Sequence, residues 1–356
     1  MSTPKALRVG IIGAGGISSA HYKGYVAGGA QVVAVADVNL AALEARQSEW
    51  GVRQAFTDYE QLLALPEIDA VSVCTPNAFH YPATLAAARA GKHVLCEKPI
   101  SLSLAEAQQM VEACRKAGVV LQINHHLRSS GAARKAKQIL ESGELGRVTF
   151  IRLRQAHDWG GASAVRDSFG QKALSGGGTL LDNGCHLFDL ARYFGGEVEE
   201  VFARTATLKF DIEVEDTAHA SLRFESGALG EIEAAWTATG WEEGFWIYGT
   251  QGALEYTNRY GRPVLRLSHR TSPGTTWAEP DHTDHTFAGE PSHTRHVGNF
   301  LAAIRGERPV ICTGQDGLEA VRLVLAAYES ARTGQPVRLE GFRPEAAARR
   351  GGTAGD

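Results

Sequence analysis

The stretch Leu7-Arg-Val-Gly-Ile-Ile-Gly13-Ala-Gly15-Gly16-Ile17-Ser18 decides how the chain begins to fold. A short apolar run stops at a glycine, two more glycines follow, and a helical pattern resumes from Ile17 to Val26. Strand, glycine turn and helix in that order give a Gly-x-Gly-x-x-Gly-like motif its mechanism. Glycines let the backbone approach a pyrophosphate, and the helix N-terminus offers free N–H groups and a positive dipole end. Ser18 stands where the third glycine would be, a departure that a small residue can accommodate. Gly13, Gly15, Gly16 and Ile17 are therefore candidate cofactor contacts.

Working outward, a second strand-like run, Gln31-Val-Val-Ala-Val-Ala-Asp37, ends in a carboxylate. Asp37 lies roughly 20 residues beyond the turn, where an acid accepts hydrogen bonds from the ribose of NAD and repels the 2′-phosphate of NADP. The alternative is an aspartate that merely ends a strand. Helical Leu40 to Trp50, a short segment near Ala55-Phe56, and apolar runs at 69–76, 93–99 and 119–124 alternate with helical patterns at 83–90 and 104–117. Strands alternating with helices of this length predict right-handed crossovers, a parallel sheet, and ligands outside the carboxyl ends of its strands. Glu97-Lys98-Pro99 closes one such strand. Lys98 there would hydrogen-bond a substrate hydroxyl or exchange a proton; the plainer reading is a solvated lysine at a loop start.

A second glycine cluster opens Gly176-Gly-Gly-Thr-Leu-Leu-Asp182-Asn-Gly-Cys-His186-Leu-Phe-Asp189-Leu190. Asp182 and His186 are four residues apart, so one helical face would present a carboxylate and an imidazole to the same space. They read equally as an acid/base pair or as a helix-capping aspartate with a partly buried histidine.

These segments together resemble the oxidoreductases named for glucose–fructose oxidoreductase and inositol dehydrogenase (Gfo/Idh/MocA). The resemblance rests on Gly13-Ala-Gly-Gly-Ile17, Thr75-Pro76-Asn77 with His80, Ala90-Gly-Lys-His-Val-Leu-Cys-Glu97-Lys98-Pro99, and Gly176 to Leu190. It extends to Phe300-Leu-Ala-Ala-Ile-Arg-Gly306 and to Gly314-Gln-Asp-Gly317 leading into Ala326-Ala-Tyr-Glu-Ser330. It implies an α/β protein: an N-terminal Rossmann dinucleotide-binding domain (1–124), then an α+β domain (125–340) with a large, mostly antiparallel open sheet. It places Thr75, Pro76, Asn77, His80, Glu97 and Lys98 at the cofactor, and Lys98, Asp182 and His186 around the reacting carbon. The implied reaction moves a hydride between a nicotinamide cofactor, NAD rather than NADP, and a secondary alcohol of a sugar, cyclitol or related polyol. Two rivals stay open: redox-neutral glycoside cleavage on the same fold, and a nucleotide-sensing regulator without catalysis.

In the second half, Asn124-His125-His126-Leu-Arg128 follows the last parallel strand; Asn124, His126 and Arg128 are candidate substrate contacts, with a plain hinge as the alternative. Asp158 and Trp159, on the loop expected after the strand Val148 to Gln155, join them as specificity candidates. From Glu199 to Leu267, β-rich runs punctuated by Gly227, Gly249 and Gly252 predict an antiparallel meander. Relatives commonly pair such sheets between subunits, which implies a homodimer or homotetramer. Trp236, Trp241 and Trp246 read as core or interface rather than sugar-stacking residues. His282, His285, His293 and His296 contain enough ligands for zinc, but they sit partly in a polar stretch without cysteine, so no metal is expected. His293 or His296 instead edges the substrate pocket.

At 356 residues, 44% hydrophobic and 21% charged with a formal net charge of −4, the chain suits two domains and no polyanion partner. No run long enough to span a bilayer appears. Five scattered cysteines without a Cys-x-x-Cys pair suit a reducing compartment, and a cytoplasmic protein is expected. Residues 341–356, poor in large apolar groups, read as a disordered tail.

Overall fold

The computed structural model describes residues 6–158, 168–259, 263–269, 281–287 and 289–343. Strands β1 (Arg8–Ile12), β2 (Gln31–Ala36), β3 (Gln54–Phe56), β4 (Ala70–Val73), β5 (His93–Cys96) and β6 (Leu121–Ile123) form a parallel sheet in the order β3-β2-β1-β4-β5-β6. Its central strands are apolar because helices cover both faces. The crossovers are α1 (Ser18–Ala27), α2 (Leu40–Trp50), α3 (Tyr59–Leu63), α4 (His80–Arg89) and α5 (Leu104–Ala117). Strand order reverses between β1 and β4, and the crevice at such a switch point is where this architecture binds ligands.

The second sheet has nine strands: β7 (Val148–Asp158), β8 (Val198–Ala206), β9 (Thr217–Phe224), β10 (Leu229–Ala235), β11 (Thr237–Gly249), β12 (Gly252–Arg259), β13 (Val264–His269), β14 (Asp281–Thr286) and β15 (Val337–Arg338). Their order is β14-β13-β12-β11-β7-β10-β9-β8-β15. The expected meander is thus interrupted: β7 enters between β10 and β11, parallel to the first and antiparallel to the second. Side chains alternate along β7, so Ile151, Leu153, Gln155 and His157 share one face and Arg152, Arg154 and Asp158 the other. The inward face passes from apolar core to polar groups.

Helices α6 (Gly131–Ser142), α7 (Lys172–Ser175), α8 (Thr179–Asp182), α9 (Gly184–Gly195), α10 (Ser292–Ile304) and α11 (Gly314–Thr333) complete the described fold. Phe188, Ala191 and Phe194 of α9 share a core with Ile151, Ile232 and Phe245 of the large sheet. The C-terminal helices also return to the first sheet. Val297, Phe300 and Leu301 of α10 join a core with Val9, Ile11 and Tyr25. In α11, Leu318 and Val321 pack with Met110 and Ile123, whereas Leu323 and Val324 belong to the core of the second sheet. One helix therefore ties the two sheets together, fixing the cleft between them. Of the expected tail, Phe342 packs against the second core; residues 344–356 lie outside the described residues.

Candidate active site

A cavity of about 890 Å³ follows the carboxyl ends of the parallel strands and is closed on its far side by β7, α8 and α9. Gly13, Gly15, Gly16, Ile17, Asp37, Thr75, Pro76, Asn77, His80, Glu97 and Lys98 all line it. His126, Gln155, His157, Asp182, Asn183, His186, Trp241 and His293 line its other end.

At the glycine end, Gly13 turns at φ +100°, and a Cβ there would stand 2.5 Å from the Cys74 carbonyl group. A Cβ on Gly15 or Gly16 would meet nothing within 4 Å. Those two glycines border open space, and among the described residues the N–H groups of Gly15, Gly16 and Ile17 make no hydrogen bond. Donors at a helix N-terminus with room in front of them fit a pyrophosphate. Asp37, at the end of β2, accepts from Ala14 N (2.6 Å) and Asn39 N (2.7 Å), so its carboxylate is fixed beside the turn. The residues present therefore fit a dinucleotide.

Along the middle, Asn77 Nδ2 donates to Ser175 O at 2.8 Å and ties the first sheet's loop to the second glycine cluster. His80 bridges the carbonyls of Thr75 and Pro99 at 2.9 and 2.7 Å. Burial of Glu97 would raise its pKa, but the His21 imidazole at 2.7 Å more than offsets this and holds the carboxyl well below its usual range. His21 also meets Ser72 Oγ (2.8 Å), which meets Tyr25 Oη (2.7 Å). This buried chain anchors the strand end that carries Lys98.

At the reacting end, Lys98 Nζ donates to the Asp182 carboxylate and, at 3.0 Å, to the Asp182 main-chain oxygen. That carbonyl is available because the helix jogs at Asn183: His186 N bonds Asn183 O at 3.1 Å instead of reaching Asp182 O. Burial would depress the Lys98 pKa; the Asp182 charge overrides it and keeps the ammonium above its normal value. Asp182 and His186 do share a wall, as their spacing predicts, yet they are not each other's partners. His186 Nδ1 faces His125 Nδ1 at 3.3 Å, with the rings edge to face. Burial, then the Lys98 charge and neighbouring imidazoles, pull the His186 pKa well below its usual value. His126 packs edge-on to His186 and stacks on His293 with centroids 3.5 Å apart.

The triple glycine has a local cause. A Cβ on Gly177 would stand 2.1 Å from Tyr328 Oη, and one on Gly178 only 1.8 Å from Glu215 O. The Glu215 carboxylate accepts from Gly178 N (3.1 Å), Leu180 N (2.9 Å) and Tyr328 Oη (2.8 Å), capping the helix that delivers Asp182. Glu215 carries no local sequence signal, and Tyr328 stands out only as part of the family-like run Ala326 to Ser330. Gln155 and His157 do carry one: odd-numbered positions following Ile151 and Leu153 must face inward.

Several expected contacts lie elsewhere. Arg128 is buried in a double hydrogen bond to Asp189 (both 2.7 Å), with Asp316 at 3.1 Å, so its charge is spent on holding α9 and not on the cavity. Asn124 is fully buried behind the wall, where it donates to Glu97. Asp158 falls on the outward face of β7 and pairs with Lys209 at 2.8 Å. Trp159 lies outside the described residues. His293 lines the cavity, but His296 is buried between Ser129 Oγ and Ile123 O. Asn183 also lines the cavity and meets His157 at 3.1 Å. Of the tryptophans, Trp236 is fully buried and Trp246 lies beneath Arg152, whereas Trp241 lines the cavity. His282 and His285 lie on β14 and the other two histidines on α10; no group of three metal-ligating residues occurs among the described residues.

A parallel sheet in the order 3-2-1-4-5-6, a glycine turn at its switch point and a lysine, carboxylate and imidazole across the cleft define a nicotinamide-dinucleotide oxidoreductase. Comparison with known proteins narrows the class. The chain belongs to the GFO/IDH/MocA oxidoreductase family, whose NAD-binding Rossmann fold is matched over residues 7–125 and whose C-terminal domain is matched over residues 133–255. It is 33% identical to 1,5-anhydro-D-fructose reductase of Ensifer adhaerens, across 94% of this chain and 98% of that protein. It is 31% identical to myo-inositol 2-dehydrogenase of Thermotoga maritima, across 94% and 99% respectively. Levoglucosan dehydrogenase in complex with NADH and levoglucosan superposes with a TM-score of 0.86 at 25% identity, covering 94% of this chain and 100% of that one. Among the described residues no helix is long and apolar enough to cross a membrane.

Proposed function

We propose that the protein moves a hydride between a nicotinamide dinucleotide, NAD in preference to NADP, and a secondary alcohol carbon of a sugar, cyclitol or related polyol. The observation that carries this reading is the Lys98–Asp182 ion pair beside His186 in the same cavity as the open glycine turn. NAD, when bound, supplies the hydride acceptor. In the oxidative direction His186 takes the substrate hydroxyl proton at Nε2, while Lys98 donates Nζ–H to the same oxygen. A neutral imidazole with a bare Nε2 carries its proton on Nδ1, so His125 Nδ1 must accept it. Asp182 orients the lysine rather than the imidazole. The raised pKa of Lys98 favours it as donor and leaves His186 as the base.

Asp37 supports NAD over NADP, because its fixed carboxylate beside the turn suits ribose hydroxyls and repels a phosphate. A panel of sugars, cyclitols and sugar acids assayed with both cofactors tests the reading by absorbance at roughly 340 nm, where the reduced nicotinamide of the hydride-transfer product absorbs. The expected result is NAD reduction that is lost in Lys98→Ala and His186→Ala. Turnover within severalfold of the parent in both variants sinks the residue roles, NADP preference sinks that of Asp37, and aglycone release without NADH turns the reading to redox-neutral cleavage.

The outer face of the nine-stranded sheet is the surface assigned to a homodimer or homotetramer. Arg154 there pairs with Glu233 (3.0 Å) and Glu242 (2.7 Å), and Arg152 lies over Trp246. Light scattering that finds a monomer removes this assignment. The cysteines Cys74, Cys96, Cys114, Cys185 and Cys312 are free and buried, which supports a cytoplasmic location; cell fractionation that places the protein elsewhere overturns it.

A further inference from the structure

The reacting end of the cavity holds an aromatic pair that the proton transfer does not use. Thr237 pairs with Asp158 and Trp241 with His157, so Ala238, Thr239 and Gly240 are extra residues on β11 opposite a single step of β7. Gly240 turns this bulge at φ +86°. Bulges beside active sites re-aim side chains. Here the bulge lays the Trp241 indole flat on the His157 imidazole, with centroids 4.7 Å apart and planes 3° from parallel. Trp241 is 47% exposed and lines the cavity. His157 is hydrogen-bonded to Asn183, the neighbour of Asp182, and Asp182 holds Lys98. The indole is thus linked by consecutive contacts to the reacting end, away from the glycine turn.

An indole face is negative and attracts polarised C–H groups, and it offers a large rigid contact area with only two side-chain torsions to fix. A six-membered polyol ring in a chair presents several C–H groups on one flat face. An open-chain polyol has no such face. Gln155, on the same face of β7 and two residues from His157, also lines the cavity; Glu243 takes its Nε2 at 3.1 Å and leaves Oε1 buried without a partner. A hydroxyl of a ring on the indole would supply that missing donor.

The geometry points to Trp241 as the platform on which a saturated six-membered ring, a pyranose or a cyclitol, stacks while its carbinol carbon meets Lys98 and His186. The last clause rests on the hydride-transfer reading; the stacking does not. Trp241 therefore selects rings over open chains, through substrate binding and not through the cofactor.

The test is equilibrium binding to the full-length protein saturated with NADH, using myo-inositol and methyl glucoside as ring probes and D-glucitol as the open-chain probe, with turnover measured in parallel. Trp241→Ala should weaken binding of a ring probe about tenfold, while D-glucitol and NADH change by less than about twofold. Trp241→Phe, which keeps an aromatic face, should stay within about threefold of the parent. Unchanged ring binding in Trp241→Ala, an equal loss of ring and open-chain probes, or a parent that binds no ring probe overturns the platform. Ring binding that depends on Trp241 without any turnover keeps the platform and removes the hydride-transfer reading. NADH binding by each variant reports that it is folded.

Discussion

Two glycine clusters look alike in sequence, yet the pairs at their centres, Gly15-Gly16 and Gly177-Gly178, exist for opposite reasons. At Gly15 and Gly16 an added Cβ would project into open space, and the N–H groups in front of it have no partner among the described residues. At Gly177 and Gly178 the space is already filled, by Tyr328 Oη and the Glu215 main chain. Gly15 and Gly16 are bare for a ligand, whereas Gly13 before them is bare for the Cys74 main chain. The second cluster is bare for the protein itself, so that Asp182 and His186 can be brought up to Lys98. A glycine run therefore reports a close approach without saying what approaches.

The contrast breaks most visibly at Gly178. In Gly178→Ala the Cβ meets Glu215 O at 1.8 Å, which no side-chain rotation relieves. Overpacking of this kind should cost about 3 kcal/mol and displace the helix carrying Asp182, abolishing turnover. Chemical denaturation and activity check it together; a variant of parental stability and activity would show that the backbone yields freely here.

A second difference is electrostatic, because the triple-glycine end faces a crowd of buried imidazoles. Burial pulls the pKa of His293 down to about 4, and His125, His126 and His186 are also depressed below 6.5. The unfolded chain then takes up protons first on acidification. Stability from these groups is complete above about pH 6.5 and is lost as the pH falls toward 4, by about 3 kcal/mol for an imidazole shifted as far as His293. Glu215 acts in the opposite sense: burial raises its pKa, so the folded state gains a proton first. Thermal unfolding of the parent between pH 7 and roughly 4.5, beside His293→Asn, measures the balance. The variant should show the shallower acid loss, and identical slopes would place His293 outside the effect.

At the ligand-facing cluster the expected effect is smaller and of another kind. Gly16→Ala puts a methyl group where the cofactor's pyrophosphate would lie, so NADH should bind about tenfold more weakly. Its unfolding free energy should stay within about 0.5 kcal/mol of the parent, since the methyl group meets no protein atom. A stability loss without an affinity loss would reverse the roles assigned to the two clusters.

The first sheet was legible because its evidence is local: each strand, turn and helix lies within one crossover, and the carboxylate of Asp37 follows at a fixed distance. The second sheet was legible in composition but not in order, since the insertion of β7 between β10 and β11 depends on partners some 80 residues away. The lining of the cavity followed the same division. Lys98, Asp182 and His186 converge as the motifs implied, but the partners of Asp182 and His186, Lys98 and His125, come from across the fold and not from their own helix. Arg128 misled because a lone arginine near a pocket carries no sign of Asp189, 61 residues on. Trp241 was hidden by a bulge that no hydrophobic pattern encodes.

The subtlest separation of the clusters lies in how Gly177 and Tyr328 depend on each other. Tyr328→Phe removes a hydroxyl that donates to Glu215 at 2.8 Å, and should cost about 1 kcal/mol. Gly177→Ala drives a methyl group at that same hydroxyl, 2.1 Å away, and costs more. With the hydroxyl gone the nearest ring atom is Cζ, 2.8 Å from the added Cβ, so the strain falls but does not vanish. The double variant should therefore be more stable than the sum of the two single losses predicts, by about 1 kcal/mol in a double-mutant cycle. The same cycle between Gly16→Ala and Tyr328→Phe should close to within about 0.5 kcal/mol, because those sites share no partner. Additivity in the first cycle would mean that the tyrosine is not what keeps Gly177 a glycine, and the second cluster would then need a ligand to explain it, as the first does.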